Sequence, residues 1–179
     1  MLIGVGKSKV IFKKLHLPMH GYGRLDHIAE SIETDLHARA FAFRKGDITL
    51  AIINLECCYI THHLKKAVVE AVLLAHPQSR LSMESLMLCS QNTHSAPGGY
   101  AHYAFFNLVS CGFRPDVFNA YKNACVDALS KALKDLEPSN LFLNADWMPD
   151  DSDVAFNRSL DAFNSNPENI EIDENHTQL

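Results

Sequence analysis

The stretch LHARAFAFRKGDITLAIINL, residues 36–55, decides how the rest of the chain is interpreted. Leu36 to Phe43 and Ile48 to Leu55 are two strand-like runs, and the four residues between them form a short connection that contains Gly46. This arrangement predicts a β-hairpin. The second run is apolar almost throughout, which is typical of a strand that is covered on both faces of its sheet.

Two helices are predicted downstream of the hairpin. Residues 62–75 carry apolar side chains at spacings of three and four, and His76-Pro77 ends the pattern. Residues 115–136 are predicted to form a long helix, because their apolar residues lie in one stripe and Pro115 is near its start. Further strands are predicted at 2–12, 85–89 and 141–143. Because strands alternate with helices, the sequence predicts an α/β fold with a mixed β-sheet flanked by helices.

Composition narrows the range of functions. A chain of 179 residues suits one domain of ordinary size. The net charge of -5 leaves no basic stripe, so no nucleic-acid partner is expected. The five cysteines contain no C-x-x-C pair, which favours small buried side chains over a disulfide framework. The N-terminus lacks the pattern of a signal peptide, so the chain is expected to be intracellular or to have lost an export segment.

The segment Asn92-Thr93-His94-Ser95-Ala96-Pro97-Gly98-Gly99 is the main candidate site, because it follows directly after the predicted strand 85–89. Sites in α/β proteins gather at the carboxyl ends of strands. His94 is a candidate metal ligand or general acid/base. Ser95 is a weaker candidate nucleophile, since no G-x-S-x-G surrounds it. Gly98 and Gly99 would let a ligand approach the backbone closely. An ordinary polar connection is the alternative.

Other polar residues are weaker candidates. His20 precedes Gly21-Tyr22-Gly23 and is a candidate for lining a pocket. Arg158 is a candidate binder of an anion or a carbonyl group, although an exposed arginine is the simpler interpretation. The adjacent pair His62-His63 opens a helix, where neighbouring side chains point to different faces, so a solvated pair is expected rather than a metal site.

Six blocks of the chain resemble the neutral, non-lysosomal ceramidase family. The candidate loop is similar to that family's T-H-T-H-S-G-P-G-G signature, and the other five blocks occur in the family's order over nearly the whole chain. They are the opening strand with the M-x-G-Y loop (3–7 and 19–23), L-x-A-R-A-F-x-F (36–43), V-N-L-D (53–56), Y-N-x-x-x-x-G-F-x-P (103–115) and N-R-S followed by N-P (156–167).

The resemblance implies an amidohydrolase that cleaves ceramide, or a related N-acyl sphingolipid, to sphingosine and a fatty acid with one zinc ion and an activated water. It also implies that His94 binds and polarises the substrate carbonyl and that Arg158 belongs to the same pocket. The family's first zinc-ligating histidine corresponds to Asn92. Amide side chains are poor zinc ligands compared with imidazole, so weakened zinc binding is expected.

The same resemblance implies that residues 1–163 are the N-terminal portion of a larger layered α/β catalytic domain. Residues 164–179 are then a polar C-terminal segment truncated within that domain. The other zinc ligands would lie beyond this chain, so the remainder of the catalytic domain is an expected partner. Family members are often secreted or membrane-associated, so contact with a membrane surface is a further possibility. A truncated or degenerate, catalytically inactive lipid-binding relative is the alternative, and a structural domain without a site is the third.

Overall fold

The computed structural model describes residues 1–146 together with residues 161 and 165. Residues 1–140 form one compact unit, and a second unit begins at residue 141. The predicted boundary between residues 163 and 164 lies outside the described residues. The elements of the first unit are the strands β1 (Leu2–Lys9), β2 (Leu17–Pro18), β3 (Ile28–Ala29), β4 (His37–Lys45), β5 (Ile48–Leu55), β6 (Leu86–Ser90) and β7 (Glu137–Pro138), the helices α1 (His62–Ala75) and α2 (Pro115–Lys134), and the 3-10 helices Pro77–Ser79 and Phe105–Ser110.

The main sheet has the strand order β6-β5-β4-β1-β7. The predicted hairpin is confirmed, because residues 38–45 of β4 pair antiparallel with the whole of β5. The predicted mixed sheet is also confirmed, since β5 pairs parallel with β6 and α1 forms the connection between them. The parallel pair matters for function because it brings the carboxyl ends of β5 and β6 to the same edge of the sheet.

On the face of the sheet that carries α2, the strands β1 and β4 have small side chains. Gly4 and Gly6 of β1 lie so close to α2 that a Cβ atom on either residue would collide with the helix backbone. Their neighbours on the same face of β4 are alanines, at positions 38, 40 and 42, and all three are fully buried. The small residues therefore let α2 lie directly on the sheet, where it buries Tyr121, Cys125 and Leu129.

The sequence predicts that the other face of the sheet is covered as well. Among the described residues, no layer covers it. The expectation that β5 is buried on both faces is wrong, because its residues alternate between buried and exposed, with Leu50 and Ile52 exposed. Strand pairing places these side chains in two cross-strand rows of large apolar residues. We call them together the open face: Ile3, Phe43 and Leu50 in one row, and Val5, Phe41, Ile52 and Met87 in the next.

Three predicted elements differ from the structure. The strand predicted at 2–12 ends at Lys9. The helix predicted to reach residue 136 ends at Lys134, because the chain then turns into β7 and pairs with the start of β1. The predicted strand 141–143 is wrong: these three residues have no strand partner and are highly exposed. Among the described residues, no helix combines the length and the apolar character needed to cross a membrane.

Candidate functional site

Two loops from distant parts of the sequence are fixed against each other beside the end of β6. The loop that follows β2 and the segment 96–98 form an antiparallel bridge between Met19 and Pro97. The backbone N–H of Gly98 donates to the carbonyl of Pro18 at 2.8 Å, and the N–H of His20 donates to the carbonyl of Ala96 at 3.2 Å. These backbone contacts bring His20 and the candidate loop into one site.

The His94 ring occupies space that a glycine leaves free. A Cβ atom on Gly21 would lie 2.6 Å from Nδ1 of His94 and closer still to two other ring atoms. Gly21 also has φ +123°, a conformation that side chains rarely adopt. On the other side, the Tyr22 ring meets the His94 ring edge to face, with centroids 4.7 Å apart. His94 is therefore a half-buried imidazole held between two consecutive residues of the opposite loop.

His20 is a second imidazole in the same site. Its ring packs edge to face on Tyr59 at 4.8 Å, and its Nδ1 atom is buried without a hydrogen-bond partner among the described residues. Burial of the ring, and after it the nearby His94, lower the pKa of His20 below its usual value. His20 is therefore neutral at pH 7 and can accept or donate one hydrogen bond. Burial also raises the pKa of Tyr59 to about 12, so its hydroxyl stays protonated.

The Pro-Gly-Gly turn of the candidate loop is buried inside the protein. Residues 96–101 are all buried, and the Tyr121 hydroxyl donates to the carbonyl of Pro97 at 2.8 Å. A Cβ atom on Gly98 would lie 2.7 Å from Oγ of Ser110, and one on Gly99 would lie 2.7 Å from Cγ of Arg114. Other parts of the same chain thus approach both glycines closely. Their small size is required by internal packing, whatever ligand the loop binds.

Asn92 lies at the entrance of the loop and has a partner that the sequence did not suggest. It is exposed and has φ +58°, in the left-handed region where asparagine is more common than most residues. The Cys58 thiol lies 3.4 Å from Oδ1 of Asn92 and donates to it. Burial raises the pKa of Cys58, so this thiol remains a donor at neutral pH. The carboxamide oxygen therefore already accepts one hydrogen bond from the protein.

These donors do not fit a zinc ion by themselves. Zinc in proteins is bound by imidazole, thiolate or carboxylate groups, usually three or four together. Within the described part of the chain there is no group of three or more such side chains in a suitable arrangement. Asn92 offers an amide oxygen, which is a poorer zinc ligand than imidazole and which already accepts a hydrogen bond from the Cys58 thiol.

The remaining sequence candidates are scattered. Ser95 lies within the candidate loop and is exposed, and its backbone N–H donates to the Thr93 hydroxyl. Arg158 lies outside the described residues. His62 and His63 are both exposed, as expected, but His63 stacks on His102 with ring centroids 4.3 Å apart. This second histidine group is formed on the surface around the start of α1.

Sequence reasoning missed several residues that complete the site. Gly21, Tyr22 and Tyr59 hold the two imidazoles, and Cys58 holds Asn92. The M-x-G-Y resemblance pointed to the loop that carries Gly21 and Tyr22, but not to its contact with His94. The sequence predicts small buried side chains for most of the cysteines, and Cys58 is buried. Its position just after the carboxyl end of β5 is the signal that it also lies near the loop after β6.

The chain is similar to known proteins over nearly its whole length, including the residues of this site. Residues 1–176 match the family described as "Neutral/alkaline non-lysosomal ceramidase, N-terminal". The chain belongs to this family. The neutral ceramidase of Mycobacterium tuberculosis is 29% identical over 169 residues, which is 92% of this chain and 26% of that protein. The neutral ceramidase of Pseudomonas aeruginosa is 31% identical over 169 residues, again 92% of this chain, and 24% of that protein.

The fold of this chain is also similar to that of ceramidases of known structure. The crystal structure of the P. aeruginosa neutral ceramidase superposes with a TM-score of 0.71 at 28% identity, covering 76% of this chain and 22% of that one. A structure described as a ceramidase complexed with C2 gives a TM-score of 0.70. This chain therefore spans about a quarter of the length of the ceramidases that it matches.

Proposed function

We propose that this chain forms the N-terminal part of an amidohydrolase that cleaves the amide bond of ceramide to sphingosine and a fatty acid. The observation that carries the proposal is the position of His94. Its ring is fixed between Gly21 and Tyr22 beside the carboxyl end of β6, within a chain that matches the ceramidase family from residue 1 to residue 176. A half-buried imidazole at that place is suited to act on a carbonyl group.

His94 donates a hydrogen bond to the amide carbonyl oxygen and favours the negative charge that develops there during hydrolysis. The neutral His20 lies beside it and is available to accept or return a proton. Arg158 adds its planar donor group to the same pocket, as the family resemblance implies. His94 packs on Tyr22 and His20 packs on Tyr59, and these ring contacts help to hold the two imidazoles in place. Such positioning matters because a displacement of about 1 Å can lower a rate by roughly 100-fold.

Zinc dependence remains part of the proposal for the assembled enzyme. When bound, a zinc ion would polarise the substrate carbonyl and activate a water molecule. Its ligands would have to come mainly from residues other than those described, because the described residues contain no group of three or more potential ligands that could hold a metal ion.

A membrane surface is the expected source of the substrate, and exposed aromatic residues support this. The 3-10 helix Phe105–Ser110 exposes Phe105 and Leu108 to solvent. Phe106 of the same helix packs on Tyr59, at 5.5 Å between ring centroids, and Tyr59 packs on His20. An apolar surface thus continues into the imidazole site, as a lipid substrate requires.

A second function is favoured by the Cys58–Asn92 hydrogen bond. A chain that has exchanged a ligating imidazole for a carboxamide, and that uses this carboxamide internally, fits a catalytically inactive lipid-binding relative. Such a protein would keep the apolar surface around Tyr59 and lose metal-dependent turnover.

The two functions are separated by measuring binding, cleavage and zinc content together. A chimera, in which this chain replaces the matching part of the P. aeruginosa neutral ceramidase, is incubated with a short-acyl ceramide. Released sphingosine is quantified by mass spectrometry, and zinc is measured in the same sample. For the hydrolase, we expect His94→Gln to lower cleavage by about 100-fold or more. His62→Gln is the matched control, since His62 is an exposed histidine outside the site, and it should leave cleavage unchanged.

The inactive relative is supported if the chimera binds the ceramide, releases no sphingosine and gains neither zinc nor cleavage on Asn92→His. Cleavage that survives His94→Gln would refute the proposed role of His94. A chimera that neither binds nor cleaves the ceramide would refute both functions.

A further inference from the structure

Ser110 is a fully buried serine at the end of the 3-10 helix Phe105–Ser110. Its hydroxyl has no hydrogen-bond partner among the residues that the structure describes. Buried polar groups in folded proteins are nearly always hydrogen-bonded, so each exception calls for an explanation. A second exception lies close to this one, on the ring of His20.

The Ser110 hydroxyl and the His20 ring border the same small space beside Gly98. A Cβ atom added to Gly98 would lie 2.7 Å from Oγ of Ser110 and 3.2 Å from Nδ1 of His20. Nδ1 is the ring nitrogen of His20 that is buried without a partner in the described part of the chain. Because Gly98 has no side chain, a small rotation of either neighbour, or one bridging water molecule, joins the two atoms by a hydrogen bond.

The 3-10 helix that carries Ser110 reaches His20 by a second route. Phe106 of this helix packs on Tyr59 with ring centroids 5.5 Å apart, and Tyr59 packs edge to face on His20. On the backbone side, the N–H of His20 donates to the carbonyl of Ala96 at 3.2 Å. These contacts orient the His20 ring, so the partner at Nδ1 has only to decide where the proton of the ring lies.

The position of that proton decides what His20 can do in a reaction. Burial lowers the pKa of His20, so the ring is neutral at pH 7 and carries one proton, either on Nδ1 or on Nε2. With the proton on Nδ1, the other nitrogen keeps a free lone pair and can accept a proton from a reacting group. The hydrogen bond made by one ring nitrogen sets the state of the other, as the aspartate does in a Ser-His-Asp triad.

We propose that Ser110 is the positioning residue of His20: its hydroxyl oxygen accepts a hydrogen bond from Nδ1–H of His20, directly or through one water molecule, and so keeps Nε2 unprotonated. Ser110 itself does not touch the substrate and acts only through His20. This inference rests on the proposed function in that Nε2 of His20 accepts and returns the proton during hydrolysis. The tautomer, however, is a property of the folded chain and is measured without substrate.

The test determines the tautomer of His20 by 15N NMR of the chain labelled at its histidine ring nitrogens, at about pH 8, where imidazole is neutral. An N–H nitrogen and a bare nitrogen give well-separated signals, and His20→Gln identifies the signals of His20 by their loss. We expect the proton on Nδ1 in the wild type. Ser110→Ala should move it mainly to Nε2. Gly98→Ala should do the same, because its Cβ atom takes the space beside Ser110 and His20 and leaves both side chains intact.

Ser79→Ala is the matched control. Ser79 is also a buried serine without a hydroxyl partner at the end of a 3-10 helix, but it precedes β6, whereas the site follows β6. It should leave the tautomer of His20 unchanged. In the ceramidase chimera, Ser110→Ala should lower kcat by about 10-fold or more with KM little changed, and Ser79→Ala should alter neither.

Circular dichroism checks that each variant is folded, and Gly98→Ala carries the test if Ser110→Ala fails to fold. The inference is overturned if the wild type carries the proton on Nε2, or if Ser110→Ala and Gly98→Ala leave the tautomer unchanged. It is also overturned if Tyr59→Phe, which removes the other buried hydroxyl near His20, moves the proton instead. An unchanged kcat of Ser110→Ala in an active chimera overturns it as well. If the tautomer changes as expected but the wild-type chimera does not cleave ceramide, the result counts against the proposed function alone.

Discussion

Replacement of Gly6 by alanine tests the close contact between the sheet and α2. A Cβ atom at Gly6 would lie 2.8 Å from the backbone nitrogen of Ala132 and closer still to the carbonyl oxygen of Ala128. Both atoms belong to the interior of a 20-residue helix, where they take part in the helical hydrogen bonds. The helix cannot yield locally without breaking those bonds, so it must move away from the sheet as a unit.

The size of the effect follows from this displacement. Ordinary contact begins at 3.4 Å, so the helix must retreat by more than half an ångström even at the farther of the two contacts. Overpacking of this kind typically costs about 1–3 kcal/mol or more. The nearer contact, to the carbonyl oxygen of Ala128, would be much shorter, which puts the cost at the upper end of this range, about 3 kcal/mol. Alanine also restricts the unfolded chain more than glycine does, which offsets only about 0.5–1 kcal/mol of this loss of stability. The net loss is then roughly 2–2.5 kcal/mol, which lowers the melting temperature of a protein of this size by about 4–10 °C.

The assay is thermal and urea unfolding followed by circular dichroism. Gly46→Ala is the control, because Gly46 has φ +58° and a Cβ atom added there would meet no other atom within 4 Å, so it should lose only about 1 kcal/mol from backbone strain. If Gly6→Ala unfolds within about 2 °C of the wild type, or is more stable than Gly46→Ala, then α2 does not rest on β1 as described.

Three further outcomes are expected. Tyr121→Phe removes the hydrogen bond to the Pro97 carbonyl and should lower the free energy of unfolding by about 1–2 kcal/mol, measured in urea. An unchanged urea midpoint would contradict this expectation. In thiol labelling of the native chain, the exposed Cys111 should react first, whereas Cys57, whose pKa burial raises to about 12, should react only on unfolding; early labelling of Cys57 would contradict this. The pKa of His20 is lowered in the folded state, so the unfolded chain binds the proton more readily and stability should fall as the pH drops through about 6.5. His20→Gln should flatten this part of the stability profile, and a profile as steep as that of the wild type would exclude His20 as its source.

The helices were the most predictable part of the fold. The bounds of α1 agree with the sequence at both ends, because an apolar stripe and the Pro77 stop signal are local features. The end of α2 was less predictable, since it depends on β7 pairing with Leu2 and Ile3 at the other end of the chain. The run 48–55 was placed correctly as a strand, but periodicity cannot tell which face another layer covers.

The loop that carries the candidate site could be located from the sequence. The side chains that surround it could not. His94 was located by its position after a buried strand, which is a local signal. Its contacts with Gly21 and Tyr22 join segments more than 70 residues apart, and no local pattern encodes such a contact. The Cys58–Asn92 hydrogen bond was missed for the same reason, since it depends on the parallel pairing of β5 with β6.

The placement of β1 between β4 and β7 has a consequence for how the chain folds during synthesis. The first strand leaves the ribosome well before β4, and α2, which packs on Gly4 and Gly6, follows about 120 residues later at roughly 5–20 residues per second. Until then, β1 can pair with β4 but lacks its second partner β7 and the helix that covers it. The fold is thus completed by contacts of high sequence separation, which form slowly. A chaperone that protects β1 during synthesis is expected to raise the yield of folded protein more than one that acts after release.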